Sequence, residues 1–199
     1  AVVTQQDRPK GRGHKMQYTP VKEKALELNI PVYQPEKVKN PEFVDILREI
    51  NPDVIVVIAF GQILSKEILD LPKYGCINVH ASLLPKYRGA APIQWAVIDG
   101  EEETGVTTMY MAEGLDTGDV IDTAVIKLDE KETGGSLFDK LAIEGGKLIV
   151  ETLSKLENGT ATRTPQDDEK SSYAGKITKE LGQIDFTKPA VTIERLIRG

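Results

Sequence analysis

In the stretch Cys76-Ile77-Asn78-Val79-His80-Ala81-Ser82-Leu83-Leu84-Pro85 an amide and an imidazole stand two positions apart. If the part up to His80 is a strand, Asn78 and His80 share one face and Ile77 and Val79 the other, because strand side chains alternate. The apolar pair suits packing. An amide N–H can donate to a developing oxyanion, and an imidazole can take or give a proton near neutral pH. A single strand histidine serves equally well as a hydrogen-bonded structural group, so the residues alone leave both roles open. Cys76 reads as small core filler.

A carboxylate stands in Gly114-Leu115-Asp116-Thr117-Gly118-Asp119, where two glycines bracket it on a tight turn. Such a turn presents Asp116 on a fixed backbone, and it can also be no more than a hairpin connection. The Asp-Thr-Gly triplet occurs in aspartic proteases, which need two such aspartates sharing a proton. Here the triplet occurs once, an acid follows it directly, and helix signals are abundant, so that chemistry is set aside.

Two further segments carry binding chemistry. Arg8-Pro9-Lys10-Gly11-Arg12-Gly13-His14-Lys15 holds the cations Arg8, Lys10, Arg12 and Lys15 with no acid among them. Glycine beside arginine lets a backbone approach a phosphate closely, although a solvated basic loop has the same composition. No phosphate-loop fingerprint occurs. In Ala59-Phe60-Gly61-Gln62-Ile63-Leu64 the glycine permits a turn, after which the Gln62, Ile63 and Leu64 backbone is available to hydrogen-bond a planar heterocycle. Ile63 and Leu64 could equally cap a core.

Positioning these groups requires alternating strands and helices. Residues 7–20 read as loop, 21–29 as a short helix, and 31–33 as a strand. Asn40-Pro41-Glu42 opens a second helix whose apolar residues Phe43, Val44, Ile46, Leu47 and Ile50 have helical spacing. The run 53–60 (DVIVVIAF) predicts a central strand buried on both faces. A short helix at 65–69, a strand at 75–80, and a helix near 93–98 follow a similar logic. Two alternating segments, 106–111 and 120–128, predict strands joined by the Asp116 turn. Residues 136–156 form a long helix ending near Asn158-Gly159. The fold expected is α/β, Rossmann-like: a mainly parallel sheet with helices on both faces, edge strands open to antiparallel pairing, and active residues beyond the carboxyl ends of the strands.

Composition narrows the classes. The chain has 199 residues, 40% hydrophobic and 28% charged, as ordinary globular proteins do. No apolar run approaches the roughly 18 residues of a membrane span. One cysteine and two histidines argue against a cysteine or multi-histidine metal site. A net charge of −6 argues against unspecific nucleic-acid binding by the whole surface, leaving only the local basic segment for such a role.

Taken in order, Asn78-x-His80-x-Ser82-Leu83-Leu84-Pro85, Tyr87-Arg88-Gly89-Ala90-Ala91-Pro92-Ile93 and Gly114-Leu115-Asp116-Thr117-Gly118 resemble the folate-dependent formyltransferase superfamily. Asp7-Arg8-Pro9-x-Gly11-Arg12-Gly13-x-Lys15-Met16 and Thr19-Pro20-Val21-Lys22 are similar to its methionyl-tRNA formyltransferase family. The resemblance implies transfer of a formyl group from 10-formyltetrahydrofolate to the α-amine of methionyl initiator tRNA, in the cytoplasm, by a monomer without a metal. It implies catalytic roles for Asn78, His80 and Asp116. It implies a folate site from Gln62, Ile63, Leu64, Ser82, Leu83, Leu84, Pro85 and Leu115, and tRNA contacts from Arg8, Lys10, Arg12 and Lys15.

The family's first strand and glycine turn, and its C-terminal barrel domain, have no counterpart here, so a fragment is expected. Residues 1–175 would then be the catalytic domain, and 176–199 its end and the start of a linker. Gln6 stands where the family usually has proline. Two alternatives remain open: a related formyltransferase acting on a small amine (an amino-sugar nucleotide or glycinamide ribonucleotide), and a non-catalytic RNA- or nucleotide-binding domain of the same layered fold.

Overall fold

A computed structural model describes residues 1–10 and 15–199, which form two compact units. The first comprises Ala1–Ile55 and Ala59–Gly75. It opens with β1 (Val2–Val3), followed by β2 (Arg8–Lys10) and β3 (Lys15–Gln17). Residues 8–10 and 15–17, expected to be loop, pair as an antiparallel ladder with Arg8 opposite Gln17 and Lys10 opposite Lys15. The hairpin lacks the apolar alternation that marks a half-buried strand, because Arg8, Pro9, Met16 and Gln17 are exposed.

Helix α1 (Pro20–Glu27) starts where Thr19 accepts a hydrogen bond from the Lys22 amide and Pro20 supplies a helical φ at no loss of a donor. The strand β4 (Val32–Tyr33) pairs in parallel with β1. Helix α2 (Pro41–Ile50) buries Phe43, Val44 and Leu47 on one side, with the Phe43 ring edge-on to Tyr33 at 6.0 Å. Asn40 occupies its N-cap position without a side-chain bond, so the proline is the stronger start signal there. Ala25, Val38, Leu64 and Ile68, the last in α3 (Lys66–Leu69), are buried in this unit as well.

The second unit comprises Val56–Ile58 and Cys76–Gly199. Its four-stranded sheet runs in the order β5 (Ile55–Val57), β6 (Cys76–His80), β8 (Glu103–Tyr110), β9 (Val120–Lys127). Of the expected strand at 53–60, residues Ile55–Val57 form β5, the outermost of these four strands, with Val56 37% exposed. The chain turns out of the ladder at Ala59, which has φ 45°. The pairs β6–β8 and β8–β9 are antiparallel, whereas β7 (Arg88–Gly89) and β10 (Tyr173–Ala174) form a separate parallel pair.

Helix α5 (Gly134–Glu157) starts in a reciprocal Thr133–Ser136 capping box, and the chain turns at Gly159, φ 68°. Its Leu137, Leu141 and Leu148 pack with Ala96 and Val97 of α4 (Pro92–Asp99) and with Val106, a cluster flanked by Val79, Ala124 and Ile126. Replacing any one of these buried leucines by alanine removes about 2–5 kcal/mol of stability. A buried polar tie reinforces the contact: the Thr108 and Thr152 hydroxyls lie 2.8 Å apart, and Thr152 donates to Asp122 at 3.0 Å. The sheet face carrying Ile77, Val79, Val106 and Thr108 thus lies under α5, leaving the alternate residues for chemistry. Helix α6 (Ala190–Arg198) belongs to this unit, its Arg195 reaching the Asp99 carbonyl at 3.5 Å.

Candidate active site

Register places the site residues. Asn78 pairs with Met109 and His80 with Thr107, so both polar side chains lie on the face opposite Val79 and Thr108, as strand alternation requires. His80 is 6% exposed, whereas Asn78 is half-buried. Among the described residues no protein group engages the Asn78 side-chain amide.

The ring of His80 is oriented by its own downstream loop. Its Nε2 lies 2.8 Å from the Tyr87 carbonyl oxygen, which can only accept. Nε2 therefore carries the proton, and in neutral imidazole the lone pair resides on Nδ1. That nitrogen lies 3.8 Å from Oδ2 of Asp116. Tyr87 holds φ 59°, in the left-handed region, and its amide donates to the Ser172 hydroxyl at 2.8 Å. The loop is closed further by Ser82, whose hydroxyl donates to the Lys86 carbonyl at 2.6 Å, and by Thr107, whose hydroxyl donates to the Ser82 carbonyl and accepts from the Leu84 amide.

Asp116 arrives from the β8–β9 connection. The ladder slips between Thr108 and Met109, a bulge that turns the strand ends just before the connection. Gly118 is required where it stands, because a Cβ there would meet the Tyr110 carbonyl at 1.7 Å. Asp116 itself has φ 52°, and its Oδ2 accepts the Gly89 amide at 2.8 Å. Gly89 has φ 115°, so only glycine presents its amide this way without strain. The result is an imidazole lone pair and a carboxylate facing each other, with an uncommitted amide on the same strand face as the imidazole. Such a set can move a proton and stabilise a developing oxyanion.

The other expected residues fall into different situations. Ile63 is 90% exposed while Leu64 is core, so the run Gln62-Ile63-Leu64 both covers the core and presents surface. The Gln62 side chain is used locally, accepting the Val38 amide at 2.9 Å. Leu115 is exposed beside Asp116. Ser82 is fully buried and its hydroxyl is committed to Lys86, while Leu83, Leu84 and Pro85 are partly exposed around it. Arg8 is exposed on β2, and Lys10 and Lys15 occupy opposite positions of the β2–β3 ladder. Arg12 lies outside the described residues. No group of three or more His, Cys, Asp or Glu side chains among the described residues is arranged to hold a metal ion.

Comparison with known proteins places this geometry. Residues 1–153 match the formyl transferase family. The chain belongs to that family. Two curated relatives of this chain are the methionyl-tRNA formyltransferases of Agathobacter rectalis, 65% identical over 198 residues, and of Clostridioides difficile, 60% identical over 198 residues. Each alignment takes in 100% of this chain and 64% of the relative, so the chain spans less than two thirds of their length. Among solved structures, the sugar 3N-formyl transferase WlaRD has a TM-score of 0.75 at 24% identity, covering 99% of this chain and 67% of its own. The formyltransferase PseJ of Anoxybacillus kamchatkensis has a TM-score of 0.68 at 23% identity, covering 100% of this chain and 97% of its own. These two likenesses are of fold.

Sequence reasoning gave no site role to three residues that hold this arrangement together: Tyr87, Gly89 and Gln166. Gln166 donates to the carbonyls of Asp116 and Gly118 and accepts from Arg88. Gly89 had a signal, a lone glycine between Arg88 and Ala90 in a stretch without helical or strand period. The Tyr87 carbonyl had none, since a backbone group carries no side-chain signal, and Gln166 had none, since its contacts arise from long-range closure.

Proposed function

We propose that the protein of which this chain is part transfers a formyl group from 10-formyltetrahydrofolate to the α-amine of methionine carried by initiator tRNA, in the cytoplasm. The observation that carries the reading is the approach of Asp116 to His80, 3.8 Å apart, with the unengaged Asn78 amide on the same strand face as His80. The acceptor is supported by relatives of 60–65% identity bearing that name and by the cations of the β2–β3 hairpin.

The reaction forms a bond between the methionine nitrogen and the formyl carbon and breaks the bond from that carbon to N10 of the folate. A proton leaves the amine and ends on N10. Asn78 donates to the formyl oxygen as it becomes anionic, where a fixed donor outperforms reorienting water. His80 takes the amine proton on Nδ1, the ring nitrogen that Tyr87 leaves free, and returns it to N10. Asp116 faces that nitrogen and stabilises the imidazolium between the two transfers. Leu115 and the Leu83-Leu84-Pro85 loop contribute apolar surface to the folate, and the Gln62-Ile63-Leu64 backbone contributes hydrogen bonds to its heterocycle. Ser82 acts by shaping its loop. Arg8, Lys10, Arg12 and Lys15 meet the tRNA phosphates and base edges.

The test is a formyl-transfer assay on the full-length protein with charged initiator tRNA beside a panel of small amines, including amino-sugar nucleotides and glycinamide ribonucleotide. Only the tRNA should be formylated efficiently, and His80→Ala should lower turnover by about 10²- to 10⁴-fold. Arg12→Ala should weaken tRNA formylation far more than folate binding. Equal use of a small amine would redirect the acceptor assignment, and a folded His80→Ala protein with undiminished turnover would remove the chemistry altogether.

A further inference from the structure

We propose that Gln166 is a positioning residue for Asp116, a clamp that holds the carboxylate turn against the loop whose amide receives the carboxylate. The proposal rests on the role given to Asp116 above.

The bonding capacity of this one amide is fully used. Its Nε2 donates to the Asp116 carbonyl at 2.9 Å and to the Gly118 carbonyl at 2.7 Å. Its Oε1 accepts from Nε and Nη2 of Arg88 at 3.0 and 2.8 Å. A primary amide has two donors and two lone pairs, so all four are taken. The orientation is unambiguous, because a guanidinium only donates and backbone carbonyls only accept. Arg88 is itself held, its side chain 12% exposed and its Nη2 also on Asp168 at 2.7 Å.

The two ends of the clamp are the two sides of the Asp116 contact. Nε2 grips the backbone of Asp116 itself, while Oε1 grips the residue immediately before Gly89, whose amide donates to the Asp116 carboxylate. Asp116 sits at φ 52°, a conformation that its own side chain does not favour and that surrounding contacts must therefore hold. Gln166 comes from the stretch between α5 and β10, so beside the direct Gly89–Asp116 bond the turn and the loop are joined by a group that neither of them contains.

The experiment compares full-length protein with Gln166→Glu, Gln166→Met, Asp116→Ala and the double variant Asp116→Ala/Gln166→Glu, using 10-formyltetrahydrofolate and charged initiator tRNA. Glutamate keeps the Arg88 contact but turns an oxygen toward two carbonyls, whereas methionine keeps the length and removes every hydrogen bond. Both single Gln166 variants should lose on the order of 100-fold in kcat, the scale of a misplaced catalytic group, with both KM values within about threefold of wild type. In the Asp116→Ala background Gln166→Glu should cause no further loss, since its action passes through Asp116.

If Asp116→Ala is inactive but the Gln166 variants turn over normally, or if the losses multiply in the double variant, the clamp is overturned and the Asp116 role stands. If Asp116→Ala retains full turnover, both fall. Loss of near-ultraviolet circular dichroism in both Gln166 variants would assign the residue to the scaffold and also overturn the proposal.

Discussion

The Nε2 of His80 and the carbonyl oxygen of Tyr87, 2.8 Å apart, settle which ring nitrogen is available for chemistry. The partner is a backbone carbonyl, so the preference for the Nε2–H tautomer does not depend on the Tyr87 side chain or on Asp116. Long-range ¹H–¹⁵N correlation spectra of the neutral protein should therefore show His80 protonated on Nε2, and Asp116→Asn should leave that unchanged. A dominant Nδ1–H form would mean that the Tyr87 contact does not orient the ring.

Tyr87 is anchored at its far end as well. Its hydroxyl shares one proton between Glu101 Oε1 at 2.7 Å and Asp99 Oδ2 at 2.9 Å. Burial and these two carboxylates push the phenol well above its ordinary range. Burial also pushes the Glu101 carboxyl up, but hydrogen bonds from Tyr87 and Lys86 outweigh it and hold the group below its usual range. A carboxyl depressed in the folded state adds stability above its unfolded value and loses it as pH falls through the folded one. Tyr87→Phe should thus lower unfolding free energy by about 1 kcal/mol at neutral pH, with the deficit shrinking on acidification. Denaturant melts at neutral and acidic pH read this directly, and a deficit that grows with acid would contradict it.

Two glycines make a paired test of backbone geometry. Gly118 leaves no room for a methyl group, so Gly118→Ala must shift the turn carrying Asp116; kcat should fall on the order of 100-fold. Gly146 lies within α5 with nothing inside 4 Å of the position a Cβ would take. Gly146→Ala should leave kcat unaltered and stabilise the protein by up to ~1 kcal/mol through helix propensity. Thermal melts with parallel turnover measurements separate the two effects.

What could be read from the sequence follows the range of the interactions. The shared face of Asn78 and His80 is a period-two property of five consecutive residues, and the register with Thr107 and Met109 agrees with it. The Asp116 turn was visible in its flanking glycines, yet its approach to His80 depends on how β8 and β9 pair and where their ladder slips. The motif assigns Ser82 to shaping a folate site, and the bond from its buried hydroxyl to the Lys86 carbonyl is a detail the motif does not carry. The run 53–60 is legible as strand from its β-branched residues, and Ile55–Val57 form β5. Gln166 stands in a polar stretch with no period at all, so only coordinates could connect it to Arg88 and Asp116.

An ion pair ties the start of the basic hairpin to α1. Lys22 of α1 donates to Asp7, the residue just before β2, at 2.5 Å, and to Gln34 at 2.7 Å; Gln34 in turn donates to Asp7 at 2.9 Å. Hydrogen bonds from Lys22 and then Gln34 hold the Asp7 carboxyl below its ordinary range. Its contribution is therefore present above the usual aspartate range and is lost as pH falls through the lowered folded value. Asp7→Asn removes that dependence, so the wild-type melting temperature should drop more steeply than the variant's as pH falls below about 4. Because Asp7 positions the start of the strand that carries Arg8 and Lys10, the same variant should raise KM for tRNA and leave KM for the folate donor unchanged. Equal rises in both constants, or parallel melting curves, would place the Asp7–Lys22 pair outside the function of the hairpin.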